Sequence, residues 1–152
     1  MPRVAILTGS KSDLPTLQPC VQILQQLGID HELHVMSAHR APDKVRAFAA
    51  EAEASGFEVI IAAAGMAAHL PGVVASLTML PVIGVPIASG DHGAAGLDAL
   101  LSITQMPPGV PVACVAINGA KNAGLLAAAI LALKHEAVHD TLQQFRQEQS
   151  SA

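Results

Sequence analysis

Tryptophan and tyrosine are absent from this chain and phenylalanine occurs only three times, so it has no Trp or Tyr ring of the kind that flavin carriers often stack on their cofactor. Charge is scarce as well: Asp, Glu, Lys and Arg make up 13% of the residues, against about 25% in an ordinary soluble domain. The formal charge of -4 argues against a general nucleic-acid binder, although a small local cationic pocket could still hold a phosphate. The two cysteines, Cys20 and Cys114, form no close-spaced motif and read as reduced, packed thiols. Long apolar runs are missing too. The longest, Ala123 to Leu133, is far short of the about 20 residues a membrane-spanning helix needs. The N-terminus is already strand-like, without a charged-then-apolar leader, which places the protein in the cytoplasm and off the membrane.

What the chain does have is apolar surface to cover. Hydrophobic residues make up 51% of the 152 positions. That length has room for one domain, residues 1–152, with one core. A surplus of apolar residues with so few charges points to a subunit interface, hence a homo-oligomer.

No linker, repeat or low-complexity break interrupts the chain. Apolar runs alternate with segments of helical spacing. The pattern predicts strands near 3–8, 30–36, 58–62, 81–85 and 111–117. Helices are expected near 14–27, 42–55, 70–78, 95–104 and 120–133, with a helical tail to about 148. Continuous apolar strands between helices imply an α/β fold, a three-layer αβα arrangement around a parallel sheet covered on both faces. Its crossovers are right-handed, and ligands in such sheets sit beyond the carboxyl ends of the strands. Pro19 lies deep enough in the first helix to remove a hydrogen bond, so that helix should bend or start late.

Three loops fall at those strand ends. The first, Gly9-Ser10-Lys11-Ser12-Asp13, joins the run Val4-Ala5-Ile6-Leu7 to a helix. Gly9 lets the backbone approach a ligand, the helix start offers unpaired N–H groups to an anion, and Ser10 and Ser12 add hydroxyls. Helix capping by Ser12 or Asp13 accounts for the same residues without a ligand. The loop has neither the ending of a P-loop nor the glycine spacing of a dinucleotide fingerprint. The second, Ser37-Ala38-His39-Arg40, sets an imidazole that titrates near neutral pH beside a permanently charged guanidinium. That pairing suits proton transfer on an anionic substrate; an exposed His beside a solvent-facing Arg is the bland alternative. The third, Ala62 to Gly72, is dominated by small residues, including Gly65 and Ala67, that let main-chain amides close on a bound molecule. His69 and Leu70 stand at its far end. Tight packing against the next helix explains it equally well.

Taken in order, these loops together with Ser102-Ile103-Thr104-Gln105-Met106-Pro107 and Lys121-Asn122-Ala123-Gly124-Leu125-Leu126 make the chain resemble the N5-carboxyaminoimidazole ribonucleotide mutases of purine biosynthesis, the bacterial class once called the catalytic subunit of AIR carboxylase. The resemblance covers nearly the whole chain. It implies a flavodoxin-like sheet and an isomerisation that moves a carboxylate from an exocyclic nitrogen to ring carbon C4, with no metal, ATP or organic cofactor. His39 matches the family's general acid/base. Ser10, Asp13 and Arg40 match its nucleotide-binding positions, with Arg40 and Ser10 at the phosphate and Asp13 at the ribose; Ser12 and Ser37 are supporting contacts. Gly65, Ala67, His69 and Leu70 would enclose the ring and carboxylate. Relatives form octamers, so the resemblance also implies a homo-octamer acting on a small ribonucleotide.

Two rival functions remain in view. One is direct carboxylation of aminoimidazole ribonucleotide with CO2; bacterial proteins of that type commonly have Lys where this chain has Arg40. The other is an FMN-binding module of the same architecture. Some positions also depart from the family. Ala41 replaces a usual Thr before the helix-starting Pro42, Ala63 and Met66 replace glycines, and Ser89 to Ala95 is longer than usual and receives no role. Finally, His135-Glu136-Ala137-Val138-His139 has the zinc-protease spacing, but without a third ligand nearby it reads as polar residues on a terminal helix. His31 and His34 point to opposite faces of a strand, poor geometry for a shared metal.

Overall fold

The computed structural model describes residues 1–91 and 93–152. The apolar run near the N-terminus forms β1 (Arg3–Thr8), an interior strand next to the edge of a five-stranded sheet. Every strand is parallel to its neighbours. Strand β2 (Asp30–Val35) forms one edge beside β1, and β3 (Val59–Gly65) lies on β1's other side, followed by β4 (Val82–Ile87) and β5 (Ala113–Cys114). The order is β2-β1-β3-β4-β5, the flavodoxin-like pattern expected. In register, Val4 faces His31 on one side and Val59 on the other.

Alternation along β1 divides the core into two layers. Val4 and Ile6 meet Leu17, Cys20, Ile23 and Leu24 of α1 (Leu14–Gln26) and the alanine face of α5 (Ala120–Ala132), with α6 (Glu136–Ser150) packed outside through Val138 and Leu142. Ala5 and Leu7 instead meet Val45 and Ala49 of α2 (Pro42–Glu51) and Leu70 and Val74 of α3 (Leu70–Ala75). Helix α4 (Leu97–Thr104) packs Ile103 so closely on Gly84 of β4 that a Cβ there would stand 2.4 Å from its Cγ2.

Several element bounds differ from the sequence expectation, each for an identifiable reason. Strand β3 runs on to Gly65, through residues read as loop, because β4 supplies ladder partners as far as Gly65 and β1 as far as Ala63. The segment expected as a strand over 111–117 keeps only Ala113–Cys114 in the ladder. Pro111 has no N–H to give, although Val115 and Asn118 still donate to the β4 carbonyls of Gly84 and Pro86 at 3.1 and 2.8 Å. Helix α1 begins at Leu14 despite Pro19, so the late start is not seen. Pro19 and Pro15, whose carbonyl it leaves without a helical donor, are both exposed, where water can serve that oxygen. Ala41 makes no side-chain cap for α2, as its loss of a hydroxyl implies.

The tail is a separate helix. The chain breaks at Leu133 to His135, and Glu58, just before β3, anchors that corner: Lys134 Nζ donates to Oε2 at 2.9 Å and His135 Nε2 lies 2.8 Å from Oε1. Desolvation is the largest single influence on the Glu58 carboxyl and pushes it up, but the hydrogen bonds and charges of Lys134 and His135 together hold it below its ordinary value of 4.5. A depressed carboxylate contributes stability that is present above the ordinary value and is lost as pH falls through the folded one. Glu58→Gln should therefore be less stable than the parent near pH 7, with the difference shrinking as pH falls below the ordinary carboxyl value of 4.5; urea midpoints measured across pH check this.

Close helix packing provides a second test. Gly124 sits inside α5, where alanine would be a better helix former by about 1 kcal/mol. Yet a Cβ at this position would meet Ile23 Cγ2 at 2.5 Å and the Cys20 carbonyl at 3.4 Å. Overpacking outweighs propensity there. Gly124→Val should lower stability by about 1–3 kcal/mol, read from denaturant unfolding with an unchanged slope.

Candidate functional site

The strand order reverses between β1 and β3, and the chain leaves the two on opposite faces: α1 follows β1 on one side and α3 follows β3 on the other. A crevice must open at that point, beyond the carboxyl ends of the strands. The structure has a cleft of about 780 Å³ there. The loops after β1, β2, β3 and β4 all line it.

From the β1 loop come Gly9, Ser10, Ser12 and Asp13. Ser10 has extended backbone (φ -146°, ψ 140°) and caps a 3-10 turn over Lys11–Asp13, its Oγ accepting from the Ser12 N–H at 3.3 Å and lying 2.8 Å from Ser12 Oγ. Asp13 precedes α1 but makes no cap hydrogen bond with its side chain. Its Oδ2 instead accepts from Thr8 Oγ1 at 2.7 Å. The capping expected of Ser12 or Asp13 is therefore not made by either side chain; Ser10 caps the short turn instead.

From the β2 loop come Ser37, Ala38, His39 and Arg40. The segment is a turn closed by Ala41 N–H to Ser37 O at 2.8 Å, and Ser37 Oγ accepts the Arg40 N–H at 3.1 Å. Ser37 therefore shapes the turn that carries the other two side chains. Arg40 reaches across to the first loop and donates from Nη2 to Gly9 O at 3.1 Å, tying the β1 and β2 loops together and leaving further N–H groups of its fork for an anion.

From the end of β3 come Gly65, Met66, Ala67, His69 and Leu70. Gly65 has no room for a side chain: a Cβ would be 2.3 Å from Ser89 Oγ. Met66 holds a left-handed backbone (φ 50°) with a half-exposed side chain, a conformation costly for a residue with a Cβ. Leu70 opens α3 and is buried. His69 Nδ1 lies 2.6 Å from His39 Nε2, the rings nearly perpendicular at 79°. Two imidazoles 30 residues apart in sequence thus share one hydrogen bond in the cleft.

All the site residues expected from sequence therefore converge on one cleft. What sequence reasoning left out is its fourth wall. Ile87, Ala88, Ser89 and Gly90 line the cleft from the end of β4, and Asn118 fixes their path by accepting the Ala88 N–H on Oδ1 at 2.9 Å. Ser89 to Gly90 belongs to the overlong segment that received no role; His92 of that segment lies outside the described residues. Thr16 and Thr8 were also missed. The position of Ser89 just beyond a strand's carboxyl end was the available signal.

The other motifs disperse. Among the described residues, no three His, Cys, Asp or Glu side chains gather to hold a metal ion. His135 stands before α6 with extended backbone and turns to Glu58, while His139 lies beside Asp140 at 3.4 Å, so the zinc-protease spacing does not become a shared site. Cys20 is buried, which pushes its thiol up to about 12, and burial raises Cys114 as well. Neither is a ready nucleophile.

Comparison with known proteins adds names to this geometry. A family model described as AIR carboxylase matches residues 3–152. The chain is 57% identical over 148 residues to the N5-carboxyaminoimidazole ribonucleotide mutase of Saccharolobus solfataricus, covering 97% of this chain and 92% of that protein. It is 54% identical over 147 residues to the mutase of the same name from Thermotoga maritima, covering 97% and 85%. Among solved structures, Treponema denticola PurE superposes with a TM-score of 0.87 at 29% identity, over 99% of this chain and 93% of that one.

Proposed function

The chain belongs to the AIR carboxylase family, and from that premise we propose that it is an isomerase of purine biosynthesis that converts N5-carboxyaminoimidazole ribonucleotide into 4-carboxy-5-aminoimidazole ribonucleotide. The observation that carries this reading is the placement, on one turn of the β2 loop, of an imidazole and a guanidinium that line the same cleft. One group handles a proton and the other an anion.

In this reading Arg40 and Ser10 hold the phosphate, and Asp13, an acceptor only, takes ribose hydroxyls. Ser12 and Ser37 support them. The protonated His39 gives its proton to the exocyclic nitrogen as the N–C bond to the carboxylate breaks, releasing CO2 and the aminoimidazole. The ring's C4 then attacks the CO2 carbon, forming the new C–C bond. Neutral His39 removes the proton from C4, the ring regains its aromaticity, and the imidazole ends protonated as it began. His69 Nδ1, sharing a hydrogen bond with His39 Nε2, steadies the ring through both transfers. The backbone from Gly65 to Leu70, faced by Ser89, encloses the carboxylate end and keeps CO2 from bulk water.

Labelling tests the assignment. With substrate carrying a labelled carboxylate and unlabelled bicarbonate in solution, product should form without added bicarbonate, keep most of its label and be unaffected by chelator. Conversion only from aminoimidazole ribonucleotide and dissolved CO2, with label lost, would mean a direct carboxylase. His39→Asn should bind the nucleotide with little change and lose turnover by about 100-fold or more; near-normal turnover would remove His39 from its role.

We also read residues 1–152 as one catalytic unit acting in the cytoplasm as a homo-octamer. No helix among the described residues is long and apolar enough to cross a membrane. Leu97 and Leu101, one turn apart on α4, are 52% and 47% exposed, and Met79 and Leu133 are more so, which gives a partner subunit apolar surface to cover. Sedimentation at micromolar concentration should show an assembly near eight times the 15.5 kDa chain mass; a monomer would contradict it.

A further inference from the structure

We propose that Thr8 is a positioning residue for sugar recognition: its hydroxyl holds the Asp13 carboxylate in the orientation that accepts ribose hydroxyls. This rests on the reading of the cleft as a ribonucleotide site.

Thr8 ends β1 and belongs to both ladders, opposite Val35 of β2 and Ala63 of β3. It is 0% exposed and is the one buried polar side chain among the described residues. Its neighbours on the strand are Ile6 and Leu7, so shape and polarity at this depth call for an aliphatic residue. Valine has the same outline and leaves no hydroxyl to satisfy. Stability therefore gives no reason for the hydroxyl, and its single partner does.

That partner is Asp13. An ionised carboxylate only accepts, so the 2.7 Å contact runs from Thr8 Oγ1–H to Asp13 Oδ2. The carboxylate of Asp13 is not used as a helix cap, and Oδ1 has no hydrogen-bond partner among the described residues. A carboxylate turns easily about its terminal bond, whose minima are broad. With Oδ2 tied to a residue locked in the sheet, that rotation is arrested. Oδ1 and the remaining lone pairs of Oδ2 then form a fixed pair of acceptors at the wall of the cleft. Two neighbouring hydroxyls on a five-membered sugar are the matching donors. Ser10 and Arg40, assigned to the phosphate, lie on the same and the adjoining loop and line the same cleft, so a sugar at Asp13 and a phosphate at Ser10 and Arg40 would occupy one site, as in a nucleoside monophosphate.

The test uses the full chain with Thr8→Val, Thr8→Ala and Thr8→Ser. Steady-state turnover of N5-carboxyaminoimidazole ribonucleotide is measured, together with calorimetric binding of the product nucleotide and of its 2′- and 3′-deoxy analogues. Thr8→Val should melt within a few degrees of the parent and raise KM by about tenfold with kcat within twofold, the pattern of lost ground-state binding. The parent should prefer the ribonucleotide over at least one deoxy analogue by about tenfold, and Thr8→Val should lose that preference while Thr8→Ser keeps it. If valine disturbs folding, Thr8→Ala, which cannot overpack, reads the same split. An unchanged KM and an unchanged ribose preference in a folded variant lacking the hydroxyl would overturn the proposal. So would a Thr8→Ser variant as impaired as Thr8→Val, since packing would then be the cause. A parent chain that turns over no substrate and binds no product would instead bring down the ribonucleotide reading itself, and this proposal with it.

Discussion

A parallel sheet with both faces covered cannot send every connection the same way around. Strand β1 lies in the interior of the sheet, with β2 on one side and β3 on the other, and each crossover must be right-handed. Moving from β1 to β2 therefore puts α1 on one face, and moving back past β1 to β3 puts α2 on the other. The adjacent strands β1 and β3 consequently release their chains in opposite directions, and the gap between them cannot be filled by either connection. The cleft follows from this handedness, and each catalytic assignment depends on the gap it leaves.

Tight backbone packing determines what kind of gap it is. Gly65 admits Ser89 Oγ where a methyl group would collide with it, and Gly84 admits Ile103 on the layer beneath. The first approach brings the end of β3 against the segment that follows β4, and the second seats α4 on β4. The opposite wall is polar. Arg40 bridges to Gly9 O, and Thr8 and Asp13 link the last residue of β1 to the start of α1. One side of the cleft is thus suited to a small, weakly polar fragment and the other to a charged, hydroxylated one.

Much of this was legible in the sequence because it depends on short-range pattern. The run Val4 to Leu7 had to be a buried strand, and the loops beginning at Gly9, Ser37 and Ala62 had to lie at strand ends. Long-range pairings were hidden. Ala63 to Gly65 fell outside the expected strand because alanine and glycine favour strands weakly, and only the β4 ladder, joined by β1 at Ala63, makes them strand. The segment 111–117 read as strand because its valines do favour one, yet little of it has a partner. The His39 to His69 contact and the approach of Ser89 to Gly65 join segments far apart in the chain, and no periodicity records them. Thr8 was passed over as the last residue of an expected strand, since its hydroxyl matters only once Asp13 is beside it.

The placement of β1 between β2 and β3 also sets how this protein becomes active during folding. Parallel strands cannot be joined by a tight hairpin, so the Val4 to Val59 pairing closes a long loop before any ladder bond repays the loss of chain entropy. The cleft takes residues from the ends of four strands, and no contiguous fragment of the chain holds more than part of it. Binding competence arrives only with the assembled sheet. For this molecule, the return of ligand affinity after dilution from denaturant is a clock for its slowest nonlocal pairing, whereas the recovery of helix signal reports only the local steps that precede it.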